Sequence, residues 1–376
     1  MSAGKTRPRA TVSLVLGSGG ARGLAHIGVI RWLVEHRFQI CSISGASIGA
    51  LVGGVFASGR LDEFERWVRG ISKPMMIALM DLSWERGGLV KGERFMEALA
   101  RYAPPGRIED LPIAFTAVAA ELATGKEIWL RSGDLLQAIR ASISLPLLFT
   151  PYDHHGTLLI DGGVLNPVPI APTFGDDTDL TIAVSLNGVP EMFSTPESAE
   201  LEPDAGGLTL SPEIAQWIER IQTLFRTDDV ARNDAPGVLT DTMHRGARAP
   251  GDIDTDRGLK GADDDAVPAN GPRADELAGA TMRRGGQRLL PSPRRDWSAY
   301  DVAYLAFDAM QGTIARQKLA AYPPDELVEI SRSSARTLEF DRANALIDIG
   351  YREAARALSG LLDSPAMRNG RRGRPG

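Results

Sequence analysis

Apolar and polar positions fall into a regular pattern over the first sixty residues. Residues 11–16 form a short apolar run that stops at Gly17-Ser18-Gly19-Gly20-Ala21-Arg22-Gly23. Apolar positions then recur at Leu24, Ile27, Ile30, Leu33 and Val34, a helical period that predicts an amphipathic helix. Residues 39–44 predict a second, buried strand, which ends at Gly45-Ala46-Ser47-Ile48-Gly49, and residues 50–57 resume as an apolar helix. Two glycine-rich loops thus each follow a strand and open a helix. In a parallel sheet such turns emerge at one edge, where α/β proteins hold their ligands.

Further along, residues 61–71 and 93–102 predict helices and residues 113–119 a strand. Between them, residues 74–80 are an apolar, methionine-rich run. It suits either core packing or a flexible wall or lid for an acyl chain, because thioethers pack adaptably. A helix over 135–143 is stopped by Pro146, and a strand at 158–160 leads directly into Asp161-Gly162-Gly163. Residues 181–186 predict another strand. The character changes near Asn187. Residues 188–297 are rich in Pro, Gly, Asp and Arg, with acidic positions at Asp252, Asp254, Asp256, Asp263, Asp264 and Asp265, and are expected to form a largely flexible acidic insertion. Within it Ile214, Trp217, Ile218, Ile221 and Phe225 form a helical stripe, expected to pack on the protein's own surface rather than on a membrane or partner. Helical period returns over 297–321, followed by a short strand at 327–330 and a helix over 341–358. Residues 1–10 read as a disordered basic leader and 359–376 as a basic, disordered tail.

Residues 45–49 match Gly-x-Ser-x-Gly, a pattern that needs glycine on both sides because its serine occupies a strained strand-to-helix turn. Ser47 is therefore the candidate nucleophile, and the helix beneath it offers N–H groups and a dipole that favour a developing alkoxide. The competing reading is a serine that caps a buried helix. The first loop is not a dinucleotide fingerprint, since Arg22 stands where the third glycine belongs, and no Gly-Lys pair makes it a phosphate loop. What remains is a run of small residues whose N–H groups can converge on an anion, with Arg22 to anchor it, as acyl transfer requires for its oxyanion. A tight turn packed for steric reasons is the alternative. Asp161 resembles Ser47 in standing at the end of an apolar strand beside glycine, although a turn-forming Asp-Gly has the same appearance.

A hydrophobic content of 43% in 376 residues is ample for a core, in one large domain or two small ones. No run has membrane-crossing length, and the segment around Val12 is too short and glycine-broken for a signal peptide. The single cysteine, Cys41, lies in a predicted buried strand, which leaves no disulfide framework and no cysteine metal site. These features predict a cytoplasmic protein. A net charge of −6 argues against nucleic-acid binding despite the basic tail. None of the histidines follows a strand end as a catalytic base would: His26 and His36 belong to the first helix, His154 and His155 to a turn, and His244 to the insertion.

In their order, the loop at Gly17–Gly23, the serine turn and the Asp-Gly-Gly turn resemble the patatin-like phospholipase family. The similarity extends to Ala141-Ser142-Ile143-Ser144-Leu145-Pro146 with Phe149, and to Asn166-Pro167-Val168-Pro169. Tyr322-Pro323-Pro324-Asp325, Phe340-Asp341 and Gly350-Tyr351 resemble the C-terminal element of its bacterial branch, related to the catalytic domain of neuropathy target esterase. The resemblance covers 11–187 and 298–358, the expected catalytic domain, and leaves the insertion outside. It implies a three-layer α/β fold with a mostly parallel central sheet and helices on both faces. It also implies a Ser–Asp dyad rather than a triad. Ser47 would be the nucleophile and Asp161 the base, with the oxyanion held at Gly19, Gly20 and Ala21 and the loop oriented by Arg22. Gly17, Gly45, Gly49, Gly162 and Gly163 would shape these motifs. The implied substrate is a phospholipid, lysophospholipid or other fatty-acyl ester, cleaved through an acyl-enzyme, with peripheral contact at the inner membrane face. No metal or other cofactor is implied. The rival readings are a lipid-binding or regulatory protein that keeps the fold without turnover, and a nucleotide-binding protein, which Arg22 disfavours.

Overall fold

Strands covered on both faces are apolar along their length instead of alternating. β1 (Ala10–Leu16) and β2 (Phe38–Ala46) are of this kind, and they pair in parallel inside an eight-stranded sheet. The computed structural model describes residues 8–79, 91–102, 106–146, 148–188 and 299–363. The chain divides into two units, residues 1–221 with 298–376 and residues 222–297, and every described residue belongs to the first.

β3 (Ala114–Glu121) lies parallel to β2, while β7 (Leu180–Gly188) and β8 (Glu326–Ser331) extend the parallel sheet on the far side of β1. β4 (Glu127–Leu130), β5 (Tyr152–His154) and β6 (Thr157–Asp161) are antiparallel to their neighbours. The sheet is therefore mixed, with five parallel strands and an antiparallel end.

The register of β3 places the site. Val118 pairs with Ala46 of β2 and with Trp129 of β4, so β2 and β4 flank opposite sides of β3. Ala119 pairs with Ile128 of β4 and with Asp161 of β6, so β6 occupies the side that β2 has just vacated. β2 and β6 thus run towards each other along one side of β3, and their C-terminal ends meet.

Helices cover both faces. β1 turns Val12, Leu14 and Leu16 into the larger core, with α1 (Ala25–Glu35), α2 (Ile48–Ala57), α3 (Leu61–Arg69) and α6 (Leu135–Ser142). Val15 points the other way, into a smaller cluster with Ala183 and with Ala315 of α7 (Ala299–Ala321). α4 (Lys73–Leu79) and α5 (Glu93–Leu99) stand beside the larger core. α1 is buried on more than the one face that its apolar spacing predicts, because α8 (Ala343–Asp363) covers it from outside. The two helices cross with backbones in contact: a Cβ on Gly28 would meet the Ile347 carbonyl, and one on Gly350 the Ala25 carbonyl. Val34, expected on the buried face, points to solvent.

Several boundaries differ from those expected. α8 continues through Asp363, beyond the predicted start of the disordered tail at 359, because Leu361 is buried in the core. β1 begins at Ala10, inside the expected leader. Cys41 is only half-buried: Val12 pairs with Ile40 and Ser13 with Ser42, so Cys41 is the extra residue of a bulge. His154 lies in β5 and His155 in the turn after it. β7 takes in Gly188, the first residue of the expected insertion; the rest of the insertion, with its apolar stripe at 214–225, its acidic cluster and His244, lies outside the described residues, as do Met80 and the distal tail.

Candidate active site

The serine turn is built by close packing. Ser47 links β2 directly to α2 with φ 57° and ψ −125°, a conformation a non-glycine residue holds only when its surroundings enforce it. Added side chains at Gly45, Gly49 or Gly17 would strike backbone of residues 49–50, Leu16 or Val184. The Ser47 N–H donates to Ser142 Oγ at 2.9 Å, and the Ser142 hydroxyl donates to the Val118 carbonyl at 2.6 Å. Ser142 thereby ties the serine turn to the β3 residue beside which β2 ends.

Where the two strand ends meet, Ser47 Oγ donates to Asp161 Oδ2 at 2.5 Å. Asp161 Oδ1 accepts from the Gly163 N–H at 2.7 Å, and the Asp161 N–H donates to the Ser144 carbonyl at 3.0 Å. Gly162 lies against the Val118 carbonyl and Gly163 against Ser18 Oγ, so neither has room for a side chain. Asp161 is wholly buried, and burial pushes its carboxyl up to about 7 even though the Ser47 and Gly163 hydrogen bonds pull it down.

The glycine loop passes through a 3-10 turn, Gly20–Leu24, before α1 begins. Arg22 is buried and turns back on the loop, its Nε donating to the Gly19 carbonyl at 3.1 Å. Its two terminal nitrogens reach Asp308 of α7 at 2.8 Å and the Arg332 carbonyl at 3.1 Å. Ala21 N–H donates to the Thr337 carbonyl at 2.8 Å, so it is already committed within the protein. The N–H groups of Gly19 and Gly20 are tied to no protein carbonyl among the described residues. His26, fully buried, donates from Nε2 to the Gly17 carbonyl at 2.8 Å, and burial drives its imidazole down to about 4, so it stays neutral. Among the described residues the only hydrogen bond of the Ser47 hydroxyl is to Asp161, and none joins His154 or His155 to either residue.

An apolar cleft opens at Ser47 beside Gly20. Its walls include Leu51, Met76, Leu79, Phe95, Ile143 and Phe340, and among the described residues no charged one lines it. The methionine-rich run is thus a wall of this cleft through Met76 and Leu79, with Met75 exposed outside.

Residues 14–174, which hold the glycine loop, the serine turn and the Asp-Gly-Gly turn, match the family model for patatin-like phospholipase. Over 357 residues the chain is 39% identical to an uncharacterized NTE family protein of Mycobacterium tuberculosis, covering 94% of this chain and 92% of that one. The chain belongs to the patatin-like phospholipase family. Within that family, the chain is also similar to patatin-like phospholipase domain-containing protein 7 of Mus musculus, at 33% identity over 193 residues (45% of this chain and 14% of that one). Lysophospholipase NTE1 of Kluyveromyces lactis is 32% identical over 186 residues, 47% of this chain and 13% of that one. Membership of the patatin-like family implies a lipid ester hydrolase. No helix among the described residues is long and apolar enough to cross a membrane.

Three contributors to the site escaped the sequence reading. Ser142 lay in a noted motif, but nothing in its spacing tells that its hydroxyl holds the Ser47 amide. Thr337 acts through its carbonyl, which every residue has. Asp308 did carry a signal: it is a lone acid in the apolar stretch 302–310, as a buried partner for a cation would be.

Proposed function

We propose that this chain is a serine acyl hydrolase that cleaves fatty-acyl esters of phospholipids or lysophospholipids through Ser47, Asp161 and an acyl-enzyme. The observation that carries the reading is the 2.5 Å hydrogen bond from the Ser47 hydroxyl, on a strained turn at the head of α2, to a buried carboxylate. A carboxylate with an ordinary pKa is a poor base for a serine hydroxyl. One lifted to about 7 approaches the basicity of the histidine used in triads while remaining largely ionised just above neutrality.

Asp161 takes the Ser47 proton as Oγ attacks the ester carbonyl, forming a tetrahedral intermediate. The charge on the former carbonyl oxygen is met by the N–H groups of Gly19 and Gly20, supported by the N-terminus of α2. The alcohol then leaves with the proton from Asp161, giving an acyl-enzyme and a lysolipid or glycerophosphodiester. Water attacks the acyl-enzyme with Asp161 again as base, and the fatty acid departs. The acyl chain lies in the uncharged cleft between Leu51, Met76 and Phe340. Such substrates reside in a lipid surface, so peripheral membrane contact is part of the proposal.

The test is labelling with a fluorophosphonate probe, joined to hydrolysis of a phospholipid and lysophospholipid panel by wild type and Ser47→Ala. Labelling and release of fatty acid should both vanish in the variant. Labelling that survives at another serine refutes the assignment.

A further inference from the structure

Gly19 and Gly20 share one peptide unit, and that unit explains why the glycine loop needs an external hold. The peptide is planar and trans, so the Gly19 carbonyl and the Gly20 N–H point in opposite directions. Arg22 Nε holds the carbonyl at 3.1 Å and so turns the N–H the other way. With glycine on both sides, a flip of this peptide meets little steric resistance; Gly20 already sits at φ 59°. The carbonyl is also that of the N-cap of the 3-10 turn Gly20–Leu24, and the Arg22 side chain adds to the hold that this turn exerts.

Arg22 is in turn fixed from outside the patatin-like segment. Its guanidinium and Asp308 form an ion pair at 2.8 Å, with side chains 4% and 11% exposed, so each would be strongly disfavoured without the other. The second oxygen of Asp308 accepts from Arg332 at 2.5 Å, which fixes the carboxylate's own rotamer. One turn further along α7, Gln311 donates to Ser18 Oγ at 3.4 Å, so the same helix face rests on both ends of the loop.

We infer that Asp308 is a positioning residue for ester hydrolysis: through Arg22 it orients the Gly19–Gly20 peptide so that the Gly20 N–H faces the oxyanion. The inference rests on the hydrolase reading above. Asp308 touches no substrate, and its effect passes through the guanidinium to the Gly19 carbonyl.

The experiment compares the full-length wild type, Asp308→Asn, Arg22→Gln and the double variant on a soluble p-nitrophenyl ester. Each is also titrated with a trifluoromethyl ketone, which forms a tetrahedral adduct with the serine and so reports the oxyanion site. Asp308→Asn should lower kcat about 10- to 100-fold with KM within about twofold, because a loosened donor acts on the transition state. Trifluoromethyl ketone affinity should fall by the same factor, and the double variant should be no slower than Arg22→Gln alone. A docking role without effect on the oxyanion would lower thermal stability and leave kcat and ketone affinity of the folded enzyme unchanged, which overturns the inference. Multiplicative losses in the double variant also overturn it. If Asp308→Asn does not fold, Asp308→Glu keeps the charge and displaces the guanidinium; a matched fall in kcat and ketone affinity supports the inference, and wild-type values for both overturn it. A wild type without ester turnover refutes the hydrolase reading and this inference together. An active wild type with an unaffected Asp308→Asn refutes the inference alone.

Discussion

The serine turn and the glycine loop stand at the same edge of the sheet, yet they are held by different means. The turn is fixed by neighbours within the patatin-like segment: the end of β2, the start of α2, the Ser142 hydroxyl and glycines pressed against the β1 backbone. The start of the loop is tied by earlier groups, Gly17 N–H to the Val184 carbonyl and Ser18 N–H to the Pro167 carbonyl, but its Gly19–Arg22 part is fixed by groups that follow residue 298, namely Asp308, the Arg332 carbonyl and the Thr337 carbonyl. The geometry of the proposed nucleophile is thus a local product of close packing, and that of the proposed oxyanion donors leans more on long-range polar contacts. Damage to the turn should appear chiefly as lost stability, and damage to the loop chiefly as lost rate.

Ser47→Ala lies outside this division and has the largest effect. It should reduce ester turnover by about 10⁴-fold or more, read by fatty-acid release, while circular dichroism remains that of the wild type. The division itself is tested by a pair of glycine substitutions. Gly49→Ala places a Cβ against the Leu16 carbonyl in the central strand, which cannot yield, and should cost on the order of 4 kcal/mol in denaturant unfolding. Gly20→Ala meets the Thr337 side chain and backbone at φ 59°, but Thr337 lies on a connecting segment that can shift, so it should cost less, about 2–3 kcal/mol, while lowering kcat at least about tenfold. Equal stability losses from the two would break the comparison.

A third test uses pH, where the two regions carry buried groups of opposite sense. Folding raises Asp161 from 3.8 to about 7, so between those values the folded state holds a proton that the unfolded state lacks, and stability falls as pH rises. His26 is lowered from 6.5 to about 4, so between those values the unfolded state binds the extra proton, and stability falls as pH drops. The two effects oppose each other across pH 4–6.5. Asp161→Asn should therefore gain roughly 2–4 kcal/mol over wild type at pH 8, and that gain should vanish near pH 4. The variant should also reveal the acid destabilisation due to His26 in unfolding curves from pH 7 to 4. In the wild type, kcat should climb as pH rises through about 7, since Asp161 must be ionised to act as base.

The smallest effect is expected from Ser142→Ala. It leaves the Ser47 N–H and the Val118 carbonyl without their shared partner and should cost about 1–2 kcal/mol, with a several-fold loss in kcat as the turn relaxes. A larger loss in kcat than in Gly20→Ala would mean that the turn, too, is held for rate.

The elements that the apolar pattern revealed are those whose environment is uniform along their length. β1, β2, β3 and β7 are buried along most of their length, so their runs stand out, and glycines mark the ends of several. β4 and β5 are short and half-exposed and leave no comparable run. The pairing of Asp161 with Ser47 comes from the family resemblance and from their similar places at strand ends, and β6 proves antiparallel. The two meet because β6 approaches β2 end to end beside β3, a register relation between segments over a hundred residues apart that no local pattern encodes. Ala21 was read as an oxyanion donor with its neighbours, and the Thr337 carbonyl that engages it is backbone, equally silent in sequence. Arg22 was legible as an anchor because a buried cation among glycines has few other uses. What anchors it in turn required the position of α7.

The crossing of Gly28 and Gly350 has a consequence for how the protein is made. These residues lie 322 positions apart, so a ribosome adding about 5–20 residues per second needs roughly 15–60 s between them. For that interval the outer face of α1 has no α8 to cover it, and β8 is missing from the edge of the sheet. The nascent chain already carries Ser47 and Asp161, but not Asp308 or Thr337. Until α8 emerges the apolar outer face of α1 is open to a chaperone, and the site is complete only once Asp308, Thr337 and α8 have been made.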